Sequence, residues 1–125
     1  MKITNNLKVY CYNWINIYCK QLSIKEPITY FRQCDIMRLS TDITKGRRTS
    51  LGKYYGVAYL ANNIMFLNLK HLPSRSRLRE TIAHELCHFR FPYFAHTKEF
   101  AIKVQEVLKG KTFKEYTGNY YKSVK

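Results

Sequence analysis

His84 and His88, four residues apart with Glu85 beside the first, are the side chains of this sequence best placed to do chemistry. They lie in Thr81-Ile82-Ala83-His84-Glu85-Leu86-Cys87-His88-Phe89, an HExxH pattern. On a helix each residue advances by about 100°, so the two imidazoles fall about 40° apart on one face. Two imidazoles one turn apart can bind the same tetrahedral zinc ion. Glu85 projects to the side of that face, close enough to hold an attacking water without being a ligand, as a general base must. HExxH is short enough to arise by chance, so its surroundings carry weight. Ile82, Ala83, Leu86, Cys87 and Phe89 are all uncharged, as a water-excluding site demands.

Three protein ligands with an open fourth position mark a catalytic zinc site, whereas four protein ligands mark a structural one. His96 is the leading candidate for the third. Pro92 breaks the chain after the motif helix and lets it reverse, bringing residue 96 back toward the two histidines. Glu99 is the rival, because zinc also accepts a carboxylate. With His96 bound, Glu99 could instead orient an imidazole from outside. His71, just before Pro73, is expected to sit outside the site, and Cys87 to serve packing.

The elements that must position these residues read as an α+β domain. Leu7, Cys11, Trp14, Tyr18 and Leu22 recur at three- and four-residue steps, predicting a helix from Asn6 to Leu22. Tyr10, Tyr12 and Trp14 on it are read as core rather than as an aromatic platform for nucleic acid. Ile28 to Phe31 reads as a short strand after Pro27, and residues 40–50 as a polar loop. Lys53–Leu60 and Ile64–Leu69, separated by Ala61-Asn62-Asn63, predict a β-hairpin. Gly56 within the first of these strands signals a bulge or a close backbone approach. Ser74 is a plausible N-cap for a helix over 75–89, with Leu78, Ile82, Leu86 and Phe89 as its buried stripe. Phe100, Val104, Val107 and Leu108 line a further helix closed by Gly110. The expected architecture is an N-terminal helix, a small, mostly antiparallel sheet with the hairpin, the HExxH helix and a C-terminal helix. Residues 1–110 form the expected single domain, and 111–125 a basic, tyrosine-rich tail.

Composition sets the context. Twenty-two Lys and Arg against 8 Asp and Glu leave a net charge of +14 on 125 residues. Such a field favours polyanions, nucleic acid among them, without identifying one. Three clusters carry much of it: Lys45/Arg47/Arg48/Lys53, Lys70/Arg75/Arg77/Arg79 and Lys111/Lys114/Lys122/Lys125. Arginines in the first turns of a helix oppose its dipole, so an anion-facing role would explain the second cluster, with a solvated face as the alternative. Cys11, Cys19, Cys34 and Cys87 contain no CxxC pair, and Cys11 and Cys19 would lie roughly 12 Å apart on one helix, too far for a disulfide. Free thiols suit a reducing, cytoplasmic setting. No stretch is long and apolar enough for a membrane span.

HELCH followed by His-Thr-Lys-Glu-Phe (96–100) resembles the SprT-like metallopeptidases, whose pattern is HExxH, a short connection, then His-x-x-Glu-Phe/Trp opening the next helix. Tyr55-Gly56-Val57-Ala58 and Ile64–Leu69 fit upstream, so the resemblance spans roughly residues 50 to 108. It implies a minimal zincin-like domain in which His84, His88 and His96 bind zinc and Glu85 is catalytic. It also implies hydrolysis of protein or peptide substrates, and members of the Spartan type act on proteins crosslinked to DNA. The alternative from a different class is a basic nucleic-acid-binding module whose zinc site is structural or vestigial. A third is an interaction domain carrying HExxH by accident.

Overall fold

The computed structural model describes residues 1–44, 53–94 and 96–114. Helix α1 (Asn5–Leu22) starts where the Thr4 hydroxyl accepts from the Leu7 amide at 3.1 Å. Leu7, Cys11, Ile15, Tyr18, Cys19 and Leu22 form its buried stripe. Trp14 lies half-buried at the margin of that stripe. Ser23 ends the helix in the left-handed region, φ 55°, and its amide donates back to the Cys19 and Lys20 carbonyls.

The sheet holds β1 (Ile28–Tyr30), β2 (Gly56–Tyr59) and β3 (Ile64–Leu67) in the order β1-β3-β2. The expected hairpin is present: β2 and β3 pair antiparallel from Gly56↔Leu67 to Tyr59↔Ile64. A 3-10 turn over Leu60–Asn62 joins them, and Asn63 (φ 53°) takes the left-handed conformation that Asn tolerates better than most residues. Every residue of β3 is buried because both faces of the strand are covered. Met65 and Leu67 enter the main core, while Ile64 and Phe66 join Ile36, Val57 and Tyr59 on the other side.

β1 pairs with β3 in parallel, so the sheet is mixed and not mostly antiparallel as expected. Between β1 and β2 the chain forms α2 (Gln33–Met37), where no element was expected, and α3 (Thr41–Thr44), within the polar loop expected over residues 40–50. Helices of five and four residues are too short to display a period. Residues 45–50 of that loop lie outside the described residues.

Helix α4 (Arg75–Arg90) carries the HExxH motif, and its Ser74 cap accepts from the Arg77 amide at 3.2 Å. Leu78, Ile82, Ala83, Leu86 and Cys87 enter the main core, where α4 packs on α1. Thr81 and Glu85 are also buried, on the flank toward β2. Helix α5 (Lys98–Leu108) buries Phe100, Val104 and Val107 and closes at Gly110, φ 94°.

Core packing continues beyond residue 110. Phe113 joins the main core, its amide donates to the Gln21 carbonyl at 2.6 Å, and the Ser23 hydroxyl donates to the Phe113 carbonyl at 2.9 Å. Gln21 Nε2 completes the clasp by donating to the Val107 and Lys111 carbonyls, each at 3.0 Å. Residues 115–125 of the expected tail lie outside the described residues.

Cys11, Cys19 and Cys87 are buried and unbridged, and burial pushes each thiol up to about 12, which keeps them protonated and unreactive. Cys34 is free and exposed. Among the described residues no helix is long and apolar enough to cross a membrane.

Candidate metal centre

Helical geometry alone puts His84 and His88 on one face of α4, and their Nε2 atoms are 3.2 Å apart. The third ring arrives by chain reversal. α4 stops at Arg90, the Phe91 amide closes on the Cys87 carbonyl at 2.7 Å, and Pro92 prevents continuation. The chain turns back, and His96 comes to rest just before Thr97, whose hydroxyl caps α5 by accepting from the Phe100 amide at 3.3 Å. His96 Nε2 is 3.0 Å from His88 Nε2.

Ligand atoms of His84, His88 and His96 all lie within 4.8 Å of one another, close enough to bind one metal ion. A tetrahedral ion with nitrogens at about 2.05 Å would hold them roughly 3.3 Å apart, near the two spacings observed. The donor set fits as well. Three imidazole nitrogens directed at one point oppose their lone pairs unless a cation or a proton lies between them. Burial, with the nearby His96 as the second cause, holds the His84 imidazole below its ordinary value, a shift toward the neutral form a metal requires. Glu99 is exposed in the first turn of α5 and, among the described residues, is not part of this group. His71 stands apart, exposed and with its ring against Tyr55 at 5.3 Å. Cys87 is buried in the core, as expected of a packing residue.

Glu85 is 7% exposed, and its Oε2 lies 4.0 Å from His84 Nε2. That places a carboxylate at the edge of the histidine cluster, within reach of a small molecule held there. A cavity of about 980 Å³ opens in front of it, bounded by β2, α4 and α5. Tyr54, Tyr55 and Tyr59 are the tyrosines lining it, which the sequence did not single out.

Phe100 is the site residue whose role the sequence hid. From the sequence it is a core position of α5 and the last residue of the 96–100 motif, without a role at the histidines, yet its ring stacks on His88 at 4.4 Å and 23°. It also meets His84 and His96 edge-on, at 5.0 and 5.9 Å. One buried aromatic thereby contacts all three imidazoles. Phe100→Leu, which keeps an apolar core residue but removes the flat wall, is expected to weaken metal binding by roughly 10- to 100-fold, the usual range for residues that orient ligands from outside. Competition against a chromophoric chelator measures it, and unchanged affinity would show that the rings orient themselves.

The basic clusters fare unevenly. Arg79 is spent inside the fold: Nε donates to the Tyr18 hydroxyl at 2.5 Å, Nη2 donates to the Leu108 carbonyl at 3.0 Å, and the guanidinium lies 4.3 Å from the Trp14 ring. Arg75 lies over Tyr10 at 5.0 Å, and Arg77 pairs with Glu80 at 3.6 Å. Arg79 is thus accounted for without an anion, whereas the Arg77–Glu80 pair is exposed to solvent. Lys111 pairs with Glu106. Lys45, Arg47, Arg48, Lys122 and Lys125 lie outside the described residues.

Comparison of the chain with protein-family models, with curated proteins and with solved structures finds no match.

Proposed function

We propose that this protein is a zinc-dependent endopeptidase of the SprT-like kind. The reading is carried by one observation: three imidazole Nε2 atoms converge with a buried carboxylate at their edge, in front of a cavity large enough for a peptide. A zinc ion held by His84, His88 and His96 would supply Lewis acidity, polarising a carbonyl and lowering the pKa of water toward neutrality. Glu85 accepts the proton of the attacking water and later delivers it to the leaving amine. Its burial keeps bulk water from competing for that proton.

Among the described residues β2 pairs with β3, and residues of β2 line the cavity. An extended substrate segment would lie along this strand within the cavity. The net charge of +14 makes proteins associated with nucleic acid the first substrate class to test. The setting proposed is the cytoplasm, where the free thiols are stable.

The test is metal analysis of the purified chain together with hydrolysis of an unfolded protein substrate. The expected outcome is one zinc per chain and cleavage that stops on chelation and returns with zinc. A chain without stoichiometric metal would overturn the reading. Metal with salt-sensitive polyanion binding but no cleavage would favour a basic module with a structural site.

A further inference from the structure

β2 crosses α4 at Gly56, and the crossing leaves no room for a side chain. A Cβ at residue 56 would lie 2.9 Å from Glu85 Cγ, 3.1 Å from Thr81 Cγ2 and 3.1 Å from the Phe66 carbonyl oxygen. All three distances fall below the roughly 3.5 Å at which non-bonded carbon contacts become favourable. Gly56 is not in the left-handed region, and its pairing with Leu67 is regular, so the position demands space and not an unusual backbone or a bulge.

The three neighbours differ in how they can respond. The Phe66 oxygen belongs to the backbone of the central strand. Thr81 is buried, and its hydroxyl donates to the Arg77 carbonyl at 2.8 Å. The tightest contact is with Glu85, whose longer side chain can yield by rotating, and that rotation carries its carboxylate with it.

We propose that Gly56 is a positioning residue for Glu85: the missing side chain allows the carboxylate to rest beside His84, and a methyl group there turns it away from the three histidines. The proposal rests on the reading of Glu85 as proton acceptor. It differs from simple close packing of strand on helix, which would cost stability and leave the turnover of folded molecules intact.

Gly56→Ala, assayed as folded and metal-loaded protein, separates the two. We expect kcat to fall roughly 10- to 100-fold, the scale of a misplacement near 1 Å, with KM and metal stoichiometry close to the parent's. A second measurement needs no activity. In a Glu85→Ala background the obstructing Cγ is gone, so Gly56→Ala should lower the melting temperature less than it does in the parent. If Gly56→Ala alone does not fold, recovery of folding by adding Glu85→Ala supports the proposal, and no recovery overturns it. Parental kcat in Gly56→Ala, or equal melting shifts in the two backgrounds, also overturns it. An active Glu85→Gln variant would instead bring down the reading of Glu85 itself, so the two failures are distinguishable.

Discussion

Replacing Glu85 with Gln is expected to reduce kcat by roughly 10²- to 10⁴-fold, the usual contribution of a positioned general base. Gln has the same length and shape, so it fills the same space between Gly56, Thr81 and the histidines. It cannot accept the water proton, and that is the single property removed. The three imidazoles are untouched, so one metal ion per chain should remain, and KM should change little because substrate contacts along β2 are preserved. Steady-state kinetics on an unfolded protein substrate, paired with metal analysis of the same sample, gives both numbers. A variant that keeps its metal and cleaves like the parent would remove Glu85 from the chemistry. A variant that loses both would show the carboxylate to be part of the metal's support.

Arg79→Ala is expected to cost about 2–4 kcal/mol of stability. Charge-assisted hydrogen bonds contribute about 1.5–3 kcal/mol each and a desolvated cation over an aromatic ring up to about 2, and the contributions are not additive. The side chain ties three helices together: it belongs to α4, donates to Tyr18 of α1, stacks on Trp14 of α1 and donates to the last turn of α5 at Leu108. The Leu108 carbonyl is among those a helix leaves without an internal partner, so a cation there is doubly favourable. Lys should rescue poorly, since an ammonium has no planar fork to serve both acceptors and the indole face together. Urea unfolding of Arg79→Ala and Arg79→Lys measures this. An unmoved midpoint would mean that the guanidinium is free for an anion. Substitution would then reduce the salt slope of polyanion binding by about one.

Arg79 also marks where reading residues one element at a time stops working. Its position near the start of α4 opposes the helix dipole, and within that helix nothing compensates. The compensation comes from Tyr18, Trp14 and Leu108, residues distant in sequence. Phe113 behaves alike: it lies in a basic, tyrosine-rich stretch without periodicity, yet the pocket between α1 and α5 takes it into the core. The parallel pairing of β1 with β3 was equally hidden. A hairpin announces its register through its turn, whereas strands joined by a long connection carry no local record of which neighbour they choose.

What the sequence determined by itself is whatever one element can encode. The helices bearing Leu7 to Leu22, Leu78 to Leu86 and Phe100 to Val107 follow from period, and the Ser74 start and the Pro92 stop from the chemistry of caps and breaks. The relation of His84, Glu85 and His88 is a property of one helical turn, so it needs no tertiary information. Tertiary structure decided the rest: His96 arriving at 3.0 Å from His88, Phe100 walling all three imidazoles, and Gly56 making room for Glu85. The reason is physical. Contacts within an element depend on dihedral angles that neighbouring residues bias directly, whereas contacts between elements depend on how whole faces pack, and that outcome belongs to the entire chain.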